Sequence, residues 1–165
     1  TTVMDEETLT AYHESGHAVI GYALGGTVQG MQLGGEEDDC LPARFGDCRI
    51  HWGRVDPNLD WQRKREILTV LAGPVAEMVY REESYHPAVF GPWKHDWEQA
   101  WQTATPMWGD ERQRMRGLEI IIVELKRRIQ LEQVWAAVAA LADELVAHEI
   151  LEEERVEDVL SFWFQ

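Results

Sequence analysis

His13-Glu14-Ser15-Gly16-His17 holds the residues of this chain whose types and spacing are best suited to chemistry. On a helix, positions four apart project from one face, one above the other. Two imidazoles so placed can share one tetrahedral metal ion, and zinc is the usual occupant. Glu14 lies next to the first histidine and can reach a water at that metal without joining the ligand set. The pattern is the His-Glu-x-x-His of zinc peptidase helices.

The surrounding residues must hold that pair in place. Residues 9–24 read as one amphipathic helix, with Leu9, Tyr12, Gly16, Val19, Ile20 and Ala23 on its apolar side. Both histidines therefore border a buried face, where two imidazoles and a carboxylate without partners are costly. A metal relieves that cost. The five-residue pattern alone is also compatible with solvated histidines beside a capping glutamate. Asp5 is suited to cap this helix, Glu6 and Glu7 suit the positive end of its dipole, and Gly25-Gly26 ends it.

Downstream, residues 28–33 and 48–52 alternate well enough to pair as a two-stranded ribbon beside the first helix. Such a ribbon offers an edge for an extended peptide, although an irregular flap fits the same residues. Asp56-Pro57 or Asp60 starts a second helix with Leu59, Ile67, Leu68, Val70 and Leu71 as its apolar positions. Gly73-Pro74 is expected to interrupt it and open a new helix over residues 74–82. Within that helix Glu77 stands among Val75, Met78 and Val79, either as an exposed flank or as a carboxylate beside the metal. Residues 84–94 read as loop, after which Asp96 opens a helix over 97–105 that Pro106 and Gly109 break. From Asp110 the pattern is helical to the end. Leu118, Ile121, Ile122 and Leu125 mark one face, Val134, Val138, Leu141, Leu145 and Val146 another, and Val156, Val159, Leu160 and Phe162 a final short helix. Trp93, Trp97, Trp101 and Trp108 cluster around the Asp96 helix, as core packing or as a wall of a substrate cleft.

Composition narrows the functional classes. A length of 165 residues suits one domain, 1–165, with its own core. With 45% hydrophobic and 27% charged residues, the chain reads as globular rather than disordered. The net charge of −15 repels phosphates, so a nucleic-acid partner is excluded as an expectation. Neither a membrane span nor a signal peptide is visible in these residues. Cys40 and Cys48 share one acidic segment and make no disulfide framework, so reduced thiols and a cytoplasmic location are expected. A local disulfide, or a second metal site with Asp38 and Asp39, are the alternatives.

Four stretches together resemble one family. Leu9-Thr10-Ala11-Tyr12-His13-Glu14-Ser15-Gly16-His17-Ala18-Val19 resembles the zinc helix of FtsH-type AAA+ zinc proteases. Leu71-Ala72-Gly73-Pro74-Val75-Ala76-Glu77 is similar to that family's Gly-x-x-Ala-Glu helix start. Lys94-His95-Asp96-Trp97-Glu98-Gln99-Ala100 resembles its Asn-Asp-x-x-x-Ala segment. Leu141-Ala142-Asp143-Glu144-Leu145-Val146, followed by Val156-Glu157-Asp158-Val159-Leu160, resembles its ending. These landmarks keep the family's order over residues 8–162.

The resemblance implies a mainly α, multi-helix peptidase domain with a small two-stranded β-ribbon beside the His-Glu-x-x-His helix. It implies that Asp96 is the third protein ligand to zinc, with neighbouring His95 as the alternative. Glu77 matches a family glutamate near the metal and is expected to orient a histidine. The chain departs from the family in showing no ATPase module or membrane segment, in residues 25–58, at Pro74 where a basic residue is common, and at His95 where a small polar residue is usual.

The expected function is a zinc-dependent endopeptidase acting on unfolded or flexible proteins and peptides, with His13, His17 and Asp96 on zinc and Glu14 as general base. A separate AAA+ ATPase as partner and a homo-oligomer are further options the family implies. The alternative function is a catalytically silent, zinc-binding interaction module of the same fold.

Overall fold

The first helix, α1 (Glu6–Ala23), starts where Asp5 in extended conformation accepts a hydrogen bond from the Glu7 amide. The computed structural model describes residues 5–34 and 46–165 of the chain. Helix α1 ends at Gly25, whose φ of 99° suits glycine far better than any L side chain. Asp38, Asp39 and Cys40, and with them the proposed cysteine pairing or second metal site, lie outside the described residues. Described Cys48 is a free thiol.

The chain is mainly α, with six α-helices and a small antiparallel sheet among the described residues. Strand β1 (Thr27–Gln32) pairs with β2 (Asp47–His51), Thr27 opposite His51 and Gln32 opposite Asp47. The register shifts between Val28 and Gly30, as a β-bulge does. A third strand, β3 (Ile150–Glu152), pairs with residues 30–32 on the other side of β1, so the order is β2-β1-β3. The expected two-stranded ribbon is therefore three-stranded. Helicity does not run from Asp110 to the end, because β3 separates α5 (Glu132–His148) from α6 (Glu153–Trp163). The chain leaves α5 through Glu149, at φ 64°, which halts the helix and aims the strand at β1.

Helix α2 (Asp60–Arg81) runs unbroken through Gly73 and Pro74, which corrects the expected interruption. A proline inside a helix forfeits one N–H bond and crowds the preceding turn. Here Leu71, Ala72, Gly73, Pro74, Val75 and Ala76 are all buried, and their packing holds the helix together. Its tightest contact is with α1. A Cβ at Gly16 would fall within 3.0 Å of the Ala72 carbonyl oxygen and 2.6 Å from Ala76 Cβ. The two helices thus approach as closely as their backbones allow. Leu59, expected on the apolar face, instead precedes α2 as its cap and is 42% exposed.

The 3₁₀ turn Gly91–Trp93 leads into α3 (Lys94–Ala104), so Asp96 lies in the first turn of a helix that begins earlier than expected. Trp93 and Trp97 are buried and Trp101 stacks obliquely beside Trp97, which makes these rings packing residues. Helix α4 (Glu111–Ile129) buries Leu118, Ile121, Leu125 and Ile129, and α5 buries Val138, Leu141 and Leu145. Val146, expected on that second face, is exposed. Helix α2 packs against α1, α3 and α4, and so stands at the centre of the bundle. No described helix is long and apolar enough to cross a membrane.

Candidate metal centre and its cleft

Helix α1 presents His13 and His17 on one face, with ring centroids 4.8 Å apart and planes at 80°. The N-terminal turn of α3 brings Asp96 to both. Its Oδ2 lies 2.7 Å from His13 Nε2 and 3.5 Å from His17 Nε2. Three donor atoms therefore converge from two helices that are far apart in sequence. The outward nitrogens face polar groups, His17 Nδ1 in a hydrogen bond and His13 Nδ1 at ion-pair distance without hydrogen-bond geometry. His17 Nδ1 donates to the Thr69 carbonyl oxygen at 2.8 Å, and His13 Nδ1 lies 3.3 Å from Glu77 Oε1. That arrangement leaves both Nε2 atoms pointing inward, the orientation that metal-binding histidines take from their outer partners.

Glu77 is fully buried on α2. Arg81, one turn on, donates from Nε to its Oε2 at 2.9 Å, so the carboxylate is held between a guanidinium and the His13 ring. Gln in place of Glu77 is expected to lower metal affinity by about 10–100-fold, because His13 loses the charge that fixes its ring. Titration against a chromophoric chelator, with thermal unfolding followed on the same samples, measures this. Unchanged affinity in a folded variant would remove Glu77 from the centre.

Gly73 supplies the space. A Cβ there would fall within 3.0 Å of His17 Nε2 and 2.8 Å from His13 Nε2. The missing side chain leaves a cradle beneath both inward nitrogens. Ligand atoms about 2.0–2.1 Å from a tetrahedral ion stand roughly 3.3 Å apart, close to the His17–Asp96 separation. His13, Glu14 and His17 form a group that could hold a metal ion, and the residues present fit one.

The charges agree with a cation site. Burial disfavours a charged imidazole at His13, but the Asp96 carboxylate outweighs it and, with Glu77, raises the pKa to about 10. At His17 burial is again overcome by Asp96, and the pKa is raised. Asp96 is pushed up by burial, yet the two histidines hold it well below the usual carboxylate range. All three shifts favour positive charge beside the Asp96 carboxylate.

Glu14 is only 7% exposed, and burial raises its pKa while the histidines pull it down. It packs against Gly46, where a Cβ would meet its Cγ at 2.9 Å. Among the described residues it makes no hydrogen bond or ion pair. It faces a cleft of about 660 Å³ whose walls come from α1, β2, α2 and α3. Neighbouring helix positions diverge by about 100°, so Asp96 turns inward while His95 lies exposed on the rim of the cleft, with no hydrogen bond or ion pair to the cluster. Tyr12 points away and stacks on Tyr80 at 4.1 Å.

Gly73, Thr69 and Arg81 were not legible as site residues. A glycine between small residues in a helix, one turn before a buried glutamate, is the one signal of close approach that points to Gly73. The aromatic wall of the cleft comes from Trp52 and not from the α3 tryptophans. No protein-family model matches this chain, and no curated protein matches it.

Proposed function

We propose that this chain is a zinc-dependent metalloendopeptidase similar to the peptidase domain of FtsH-type proteases. The observation that carries the reading is the meeting of His13 Nε2, His17 Nε2 and Asp96 Oδ2 over the open face of Gly73, with Glu14 beside them in the cleft. His13, His17 and Asp96 would hold the ion. Zinc bound there supplies Lewis acidity to polarise the scissile carbonyl and acidify a water.

The chain's own residues do the rest. Glu14 accepts a proton from the attacking water and delivers it to the departing amine, so that hydrolysis leaves a carboxylic acid and an amine. A carboxylate whose pKa is raised by burial suits that two-way traffic. Asp96 and Glu77 balance the charge that the centre carries. Strand β2 has β1 on one side and, among the described residues, no strand on the other, and its residues line the cleft. An extended segment of an unfolded protein can pair along that edge. The free thiol of Cys48 in the cleft suits a reducing compartment, and the cytoplasm is the location proposed.

Removal and return of the metal tests the reading. Casein cleavage without ATP is expected to stop when a chelator strips the protein and to return with one equivalent of zinc. A protein that binds zinc at this centre yet cleaves no unfolded substrate would instead be a silent binding module or would need a separate AAA+ ATPase. Cleavage indifferent to metal would sink the proposal.

A further inference from the structure

The cleft is lopsided in charge. Among the described residues, its lining includes the carboxylates Glu14, Asp47, Glu66 and Asp96 and no lysine or arginine. Asp96 is committed to the histidines, but Glu66 stands elsewhere. It lies on α2 two turns before Gly73, about 10 Å along the helix axis from the metal cradle. Thr69 lies between them and meets His17, so this face of α2 runs outward from the centre along the cleft.

Trp52, just beyond β2, lines the same cleft and packs on Arg65, the residue before Glu66. Arg65, next to Glu66, is sandwiched between Trp52 and Trp61, 4.6 Å and 4.4 Å from the two ring centroids. Its guanidinium donates to Gln62 and to the Leu24 carbonyl, and it does not line the cleft. Trp52 is thereby braced as a rigid wall. Glu66 is half-buried and makes no hydrogen bond or ion pair among the described residues. Glu14, more than nine-tenths buried and facing the same cleft, likewise has no partner there, so the cleft is built to receive polar groups from a ligand.

An aromatic wall beside a carboxylate that lacks a cation is complementary to an alkyl stem ending in a positive charge. Lysine and arginine side chains reach about 6–7 Å and the Glu66 side chain a further ~3–4 Å, which together span the offset of about 10 Å from the centre. Resting on the peptidase reading, we propose that this end of the cleft is a subsite for a Lys or Arg side chain near the bond that is cut. Glu66 takes the cation and Trp52 packs the stem. The substrates are flexible basic segments, and acidic ones are turned away by Glu66, Asp47 and the net charge of −15.

The test uses fluorescein-labelled unstructured decapeptides that differ only in a central Lys, Arg, Leu or Glu. Binding to zinc-loaded Glu14→Gln protein is read by anisotropy, and cleavage by the wild type as kcat/KM. Lys and Arg peptides are expected to be favoured over Leu by about fivefold to tenfold in both readouts, with Glu weakest. Glu66→Gln, added to each background, brings the Lys-to-Leu ratio to about one, while Glu154→Gln on the exposed start of α6 leaves it intact. An unchanged ratio in Glu66→Gln overturns the subsite, as do equal effects of the two variants or no binding of any peptide. Cleavage without charge preference overturns the subsite and keeps the peptidase. A Glu66-dependent binding preference without cleavage keeps the subsite and overturns the peptidase.

Discussion

Glu14→Gln is expected to keep its metal and to lose casein hydrolysis by about 10²–10⁴-fold, the usual worth of a positioned general base. Glutamine has the same shape, so the contact with Gly46 survives and the ligands His13, His17 and Asp96 are untouched. What disappears is the ability to accept a proton. Stability should not fall. Burial, with Asp96 and Asp47, disfavours the Glu14 charge more than His17 and His13 favour it, and a neutral amide removes that burden. Metal content by atomic emission, cleavage rate and urea unfolding on one preparation separate the possibilities. Hydrolysis at the wild-type rate would remove Glu14 from the chemistry.

Gly73→Ala carries the second large effect, and two opposing energies decide how it must be read. Alanine is favoured over glycine in a helix interior by about 1 kcal/mol. Overpacking against a well-filled core costs about 1–3 kcal/mol. Global stability is therefore expected to fall by ~0–2 kcal/mol. Metal affinity is different, because the new methyl group occupies the cradle that both Nε2 atoms face. The rings cannot simply swing away, since the Thr69 carbonyl holds His17 and Glu77 holds His13. A loss of about 100-fold or more in zinc affinity is expected, comparable to losing a whole supporting interaction. Chelator competition measures it, and wild-type affinity in the variant would show that the ion does not sit over Gly73.

How far the sequence alone led depends on the range of each interaction. The histidine pair, Glu14 and the Asp5 cap are local, and the 3.6-residue period makes them visible. Asp96 comes from another helix, and no spacing rule links it to His13. It entered through likeness to a family. Thr69 contributes a backbone carbonyl and Gly73 a missing atom, and neither leaves a residue-type signal of metal chemistry.

The misread break at Gly73-Pro74 has an energetic explanation. The local penalty for an interior proline is about 3 kcal/mol. Each of Ile67, Leu71 and Val75, all fully buried on α2, returns about 1.5–3 kcal/mol on leaving water. Tertiary packing wins. Strand β3 was invisible for a related reason. Three residues are too few for an alternating period, and only their pairing with β1 makes them a strand.

That pairing also sets an order of events. Met31 pairs with Leu151, and the Leu33 amide reaches the Glu149 carbonyl, so the sheet that walls the cleft joins segments from opposite ends of the chain. Contacts of such long sequence separation form late, because the loop entropy must be met before they help. While a ribosome is still making α5, β1 has no β3 to lean on and the cleft lacks its finished wall. Under the peptidase proposal, the chain is thus kept unarmed while its own nascent length is the nearest unfolded polypeptide.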